Sequence, residues 1–184
     1  MASSADKGKW AMNPWRRGIR ALPVCLAILG GCNGSSDRSA VGAEVGDKPP
    51  SLALEAVQDP ADAASAGLDA YDGKVLVLGF WLGGCISCLN EMPELVDLHR
   101  SFNQRGLDVL MVNTGGNKQA VTNAIRDYGI DFGMTLDAIS LSTKRYEVGV
   151  FPTIFVIGRD GVIKARMAGE QRPGVITETA ASLL

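Results

Sequence analysis

Hydrophobic and polar positions follow two periods along this chain, and each change of period marks an element. Lys74–Phe80 (KVLVLGF) is a near-continuous apolar run after the turn Asp72-Gly73, the pattern of a central strand buried on both faces. From Cys85 to about Arg105 the period is helical. Leu89, Met92, Leu95, Val96, Leu98 and Phe102 share one face, Pro93 sits inside and should kink the helix, and Gly106 supplies a stop. Leu107–Asn113 is the next strand, Asn117–Tyr128 a helix ending at Gly129, Phe132–Leu136 a short strand and Ser140–Tyr146 a short helix. Thr153–Ile157 and Val162–Ala168 form a hairpin across Gly158-Arg159-Asp160-Gly161, and Val175–Leu184 closes the chain as a helix. Upstream, Ser51–Leu54 is a strand candidate after Pro49-Pro50, and Gln58–Asp69 reads as a surface excursion. The order predicts an α/β domain: a central mixed β-sheet flanked by helices on both faces, parallel crossovers first and an antiparallel edge pair last.

The N-terminal region breaks this pattern. Residues 1–31 hold Lys7, Lys9, Arg16, Arg17 and Arg20 against Asp6 alone. Ala21–Gly31 is apolar but shorter than the roughly 20 residues a membrane-spanning helix needs, and a basic start before a short apolar core reads as a secretory signal. Leu29-Gly30-Gly31-Cys32 resembles the lipobox of bacterial lipoproteins, which implies cleavage before Cys32 and lipid attachment to its sulfur. The Gly-, Ser- and Ala-rich stretch that follows reads as a flexible tether. The expected division is therefore a lipoprotein signal peptide at 1–31, a tether at 32–46 and a folded domain at 47–184, held extracytoplasmically as a membrane-anchored lipoprotein on the periplasmic side. The 184 residues are 46% hydrophobic with a net charge of −2. That suits one packed domain with an appendage and gives no reason to expect a nucleic-acid partner.

Of the four cysteines, Cys25 lies in the apolar run and Cys32 at its end, so Cys85 and Cys88 are the pair left to the domain. They stand between a buried strand and a helix start. There the first sulfur meets unpaired backbone N–H groups and the positive end of the helix dipole, both of which favour thiolate. Cys85 is then the nucleophile on a disulfide and Cys88 the group that resolves the mixed disulfide. A zinc site needs about four ligands, and His99, the one histidine, lies eleven residues beyond Cys88 on the same helix, too far to share a metal. A c-type haem needs a histidine where Leu89 stands. An inert structural disulfide stays open. No metal and no cofactor beyond the redox-active Cys85–Cys88 pair is expected.

Phe80-Trp81-Leu82-Gly83-Gly84-Cys85-Ile86-Ser87-Cys88-Leu89-Asn90-Glu91-Met92-Pro93 resembles the F-W-x-x-W-C-x-P-C-x-x-E-x-P signature of the TlpA/ResA branch of membrane-anchored thioredoxin-like proteins. Val112-Asn113, Gly149–Ile157, Asp160-Gly161 and Gly169 also fit, over a span from about Gly46 to the C-terminus. The resemblance implies a thioredoxin-like fold and an extracytoplasmic thiol–disulfide oxidoreductase, with the following roles. Pro152 matches the cis-proline facing the active cysteines, with Phe151 turned toward an extended substrate. Glu91 matches the acidic residue near the buried cysteine that influences proton transfer. Trp81 matches the tryptophan under the site and is grouped with the substrate-binding positions. It further implies substrates such as apocytochrome c and a membrane thiol electron donor of the CcdA/DsbD type.

Three departures stand out. Gly84 replaces the usual tryptophan before the first cysteine, Ser87 replaces the usual proline between the cysteines, and Gly79 stands where relatives often carry Asp or Asn. A peroxidase of the peroxiredoxin kind shares the fold but uses Thr or Ser three residues before its cysteine, where this chain has Leu82. A lipid-tethered copper-handling module would use CxxxC and a later histidine, and none follows His99.

Overall fold

The computed structural model describes residues 43–52, 54–58 and 67–184. The expected signal peptide at 1–31, Cys32 and the expected tether as far as residue 42 lie outside the described residues. The described strands are β1 (Glu55–Gln58), β2 (Val75–Leu82), β3 (Leu107–Thr114), β4 (Gly133–Asp137), β5 (Thr153–Ile157) and β6 (Ile163–Ala168). The helices are α1 (Ile86–Phe102), α2 (Lys118–Tyr128), α3 (Leu141–Arg145) and α4 (Val175–Ala181). The sheet runs in the order β1-β4-β3-β2-β5-β6. β2 pairs in parallel with β3 from Val75↔Leu107 to Leu82↔Thr114, and β3 in parallel with β4. β5 runs antiparallel to β2, with Phe80 opposite Thr153, and β6 antiparallel to β5. The mixed sheet with its late antiparallel hairpin is the arrangement the periodicity predicts.

β2 is central because it is apolar on both faces, and each face buries a different half of its residues. Val75, Val77 and Trp81 face a core completed by Met92, Leu95 and Val96 of α1, Val121 of α2 and Ile176 of α4. Leu76, Leu78 and Phe80 face a second core, where Phe80, Tyr146 and Phe155 pack ring against ring at centroid distances of 5.0–5.9 Å. The second face is covered by a 3-10 turn at Leu68–Tyr71, Tyr146 at the end of α3, and residues of the N-terminal stretch. Each large side chain buried in these layers is worth about 1.5–3 kcal/mol.

Three sequence expectations need correction. The first strand is Glu55–Gln58, not Ser51–Leu54, and it pairs antiparallel with β4 at the sheet edge. Gln58 is not part of a surface excursion: its Nε2 donates to the carbonyls of Ile130 and Phe132, 2.8 and 3.2 Å away. Residues 43–46 are part of the packed domain rather than tether. Ala43 is fully buried, the Gly46 N–H donates to the Ile163 carbonyl, and Glu44 pairs with Arg166. Pro93 lies inside α1 without ending it.

His99 fastens the far end of α1. It is buried, its Nδ1 lies 3.0 Å from Asp131 Oδ1 and its Nε2 3.5 Å from Asp108 Oδ1. With an acid at each nitrogen the ring's pKa is raised: Asp108 raises its proton affinity, burial opposes, and Asp131 raises it again. Burial pushes Asp108 up, but His99 and Lys74 outweigh it and hold that carboxyl below its ordinary value. Because the folded state raises the His99 pKa, the stability this supplies is fully present below the unfolded value of 6.5. It is lost as pH rises through the higher folded value. We expect His99→Gln to cost about 1–3 kcal/mol at pH 6, with the difference shrinking at pH 9. Urea unfolding at the two pH values checks this, and a pH-independent difference would show that the ring acts only by packing.

Candidate active site

The site forms where β2 ends and α1 begins. After Leu82 the chain turns through Gly83 and Gly84, with the Cys85 N–H donating to the Leu82 carbonyl. Gly84 has φ +86°, in the left-handed region where a side chain is strained. It is exposed, and a Cβ placed there would meet no atom within 4 Å. Cys85 is the N-cap of α1, in extended conformation, and its Sγ accepts the Cys88 N–H at 3.2 Å. Ser87 Oγ lies 3.3 Å from the same sulfur. Its hydroxyl is a donor that the proline usual at this position lacks. The sulfur thus occupies the position where a helix stabilises negative charge.

Cys85 and Cys88 form a disulfide. Cys85 is half-buried, whereas Cys88 is 1% exposed and belongs to the α1 face of the core. Glu91 follows one turn later, on the same side of the helix as Cys88. It is not a solvated surface carboxylate, being only 5% exposed. Burial pushes its carboxyl up, the Gln171 N–H donating to Oε1 at 2.7 Å pulls it down, and the nearby Glu94 and Glu170 push it up again. The net direction is upward, so the acid holds its proton to higher pH than an exposed glutamate.

The third part comes from the loop before β5. The Phe151–Pro152 peptide bond is cis. Since Thr153 pairs with Phe80 in an antiparallel register, the two residues before it lie alongside Trp81 and Leu82, the last residues of β2, at the same end of the sheet as the cysteines. Pro152 is buried and Phe151 half-buried. Trp81 needs correction: at 1% exposed it is part of the floor beneath the cysteines and cannot touch a substrate. The β2 register turns it inward while it turns Phe80 to the opposite face. Its Nε1 and the side-chain amide of Asn113, its register partner on β3, are buried without hydrogen-bond partners among the described residues. Sequence reasoning missed that pairing because it exists only once β2 and β3 are in register.

Gly79 explains why no second acid sits behind the site. A Cβ there would lie 2.2 Å from Met111 Sδ and 2.8 Å from Ile154 Cδ1, so Met111 fills the space an Asp or Asn side chain would need. Among the described residues no cluster of three or more His, Cys, Asp or Glu is placed to hold a metal ion.

Comparison with known proteins gives a match to the AhpC/TSA family over residues 45–166. The chain is 28% identical over 125 residues to the thiol-disulfide oxidoreductase ResA of Oceanobacillus iheyensis, covering 68% of this chain and 65% of that protein. It is 30% identical over 109 residues to ResA of Bacillus subtilis, covering 59% and 61%. The chain thus spans less than two thirds of the length of these relatives. Among solved structures, a putative thiol:disulfide interchange protein DsbE from Chlorobium tepidum aligns with TM-score 0.67 at 22% identity, over 77% of this chain and 99% of that one. The thioredoxin domain of a thiol-disulfide oxidoreductase from Bacteroides vulgatus aligns with TM-score 0.65 at 22% identity, over 77% and 98%. The fold is thioredoxin-like.

The asymmetry of the two sulfurs has a direct test. In reduced protein at pH 7, iodoacetamide should label Cys85 and leave Cys88 protected, because only the first is reachable. Peptide mass spectrometry after brief exposure reads the positions, and preferential labelling of Cys88 would reverse the assignment of nucleophile and resolving thiol.

Proposed function

The chain belongs to the AhpC/TSA family, and from that premise we propose that it is a thiol–disulfide oxidoreductase that reduces disulfides of exported proteins. One observation carries this: a disulfide joins a reachable sulfur capping α1 to a buried sulfur one turn on. The ResA relatives, named as thiol-disulfide oxidoreductases, support the same reading.

In the reduced state the Cys85 thiolate attacks one sulfur of a substrate disulfide. A mixed disulfide forms, and the other substrate sulfur leaves and takes a proton. Cys88 then gives up its proton and attacks Cys85 Sγ, releasing the second substrate thiol and re-forming the Cys85–Cys88 disulfide. Two electrons pass to the substrate. A donor dithiol returns them by the reverse exchange, in which Cys88 leaves as thiolate and is reprotonated. Glu91, buried one turn from Cys88 with its pKa raised, is suited to lend and recover that proton. An extended substrate strand would lie beside Phe151 and Pro152. The exposed Ile86 and Val150, 75% and 53% accessible, supply apolar contact on either side and favour a polypeptide over a small thiol.

The proposal places this chemistry outside the cytoplasm, with the domain anchored by lipid on Cys32. It extends to apocytochrome c as a substrate, with a role in cytochrome c maturation, and to a CcdA/DsbD-type membrane protein as donor. What supports this is the signal-like N-terminus, the lipobox-like Leu29–Cys32 and the ResA likeness.

Purified protein should reduce insulin disulfides with dithiothreitol as donor. Cys85→Ser should lower the rate at least a hundredfold, and Cys88→Ser should accumulate mixed disulfides in cells whose partners mass spectrometry identifies. Retained turnover by Cys85→Ser would reject the mechanism, and catalytic consumption of hydrogen peroxide in place of disulfide exchange would move the assignment to a peroxidase.

A further inference from the structure

Between β6 and α4 the chain runs through Gly169-Glu170-Gln171-Arg172-Pro173-Gly174 across the first turns of α1, and two of its hydrogen bonds there reach groups of the redox site, Pro152 and Glu91. The Gly169 N–H donates to the carbonyl of Pro152 at 2.8 Å. The Glu170 carboxylate accepts from Asn90 Nδ2 at 2.9 Å. The Gln171 N–H donates to Glu91 Oε1 at 2.7 Å. The Gly174 N–H donates to Glu94 Oε2 at 3.0 Å, and the N–H and hydroxyl of Thr177 donate to Glu94 Oε1 at 2.9 and 3.0 Å. Glu91 Oε2 is buried with no hydrogen-bond partner among the described residues.

We propose that Gly169–Gly174 is a positioning strap which, through the Gln171 N–H on Glu91 Oε1, places the proton of that acid on Oε2 and fixes the carboxyl relative to the cis-proline loop. The inference rests on the proposed thiol–disulfide reaction and assigns a new element to it. An oxygen that accepts a short N–H bond is the poorer place for a proton, so the acid form carries it on the other oxygen. In the disulfide state that O–H has no acceptor. An acceptor arises when Cys88, one helical turn away, leaves as thiolate, so the interaction strengthens only as the bond breaks. The charged groups around the carboxyl are Glu94 and Asp97 on α1 and Glu170 on the strap, while Arg172 of the strap lies toward Glu178 at 3.8 Å. Burial first, and then Glu94 and Glu170, favour the protonated form, and the Gln171 N–H is the opposing group that keeps it able to ionise.

The test uses the backbone, because the bond comes from an N–H rather than a side chain. In the oxidised wild-type protein, where the cysteines do not titrate, NMR should show the Gln171 amide and the Glu91 carboxyl carbon shifting with one shared midpoint above 4.5. Gln171→Ala keeps the N–H and should leave that midpoint in place. Gln171→Pro removes it and should raise the midpoint by about one pH unit. After correction for the thiolate fraction of dithiothreitol, the pH at which disulfide reduction loses the help of the protonated acid should move with it. If Gln171→Pro does not fold, the wild-type titration decides alone. An amide at 171 that ignores the Glu91 titration, or an alanine variant that shifts as far as the proline one, overturns the strap. Loss of disulfide exchange in the wild type with the shared titration intact would instead overturn the reaction and leave the strap standing.

Discussion

The Cys85 sulfur lies at the start of a helix that cannot move independently of the sheet, and the rest of the structure is arranged around that constraint. β2 is held by β3 on one side and β5 on the other, so its end is fixed. Only three residues separate that end from Ile86, where α1 begins. The helix is then pinned along its length: by the Cys88 N–H to Cys85 Sγ at its head, by Glu91 and Glu94 to the strap, by Met92, Leu95 and Val96 in the core, and by His99 to Asp108 and Asp131 near its tail. A sulfur on a loose loop would feel neither the cap nor the dipole, since both act within the first turn.

Electrostatics divide along the same helix. At its head the Cys88 N–H and the Ser87 hydroxyl favour negative charge on the half-buried Cys85 sulfur. One turn later burial and neighbouring acids favour a neutral carboxyl at Glu91. Near the tail two acids favour a positive ring at His99. Met111 occupies the space behind Gly79, so an acid in that position is excluded by packing and Glu91 is left as the carboxyl one turn from the buried thiol. The two departures beside the cysteines act differently: Gly84 removes bulk beside Cys85, and Ser87 adds a donor to it.

What the sequence revealed follows the range of the interactions involved. The strand–turn–helix with its CxxC spans few residues and depends on local patterning, so Lys74–Phe80, Cys85 and Cys88 were readable at once. The 158–161 hairpin was readable for the same reason. β1 was misplaced because Glu55-Ala56-Val57-Gln58 has no strong alternation and takes its place from pairing with β4. Residues 43–46 read as tether by composition, yet Gly46 and Glu44 join the domain through contacts more than a hundred residues away, at Ile163 and Arg166. Trp81 carried the right motif but the wrong role, because the motif does not say which way the β2 register turns it. His99 read only as a helix residue too far from Cys88 to share a metal, because the acids that meet it arrive from β3 and the loop before β4.

The strap was least visible of all, and the reason bears on how such sites are built. Its key donor is a backbone N–H, which every residue but proline carries, and it reaches Glu91 across 80 positions. No residue type at 171 announces it. Side-chain motifs therefore record the groups that exchange electrons, while the groups that hold a proton in place can be supplied by main chain whose sequence is free to vary. On the proposed function, redox sulfurs and proton carrier lie on one rigid helix, and the strap and the cis-proline loop close around them from the far end of the chain. The site is complete only when residues near 85, 150 and 170 are packed together, so folding and the assembly of the chemistry are one event.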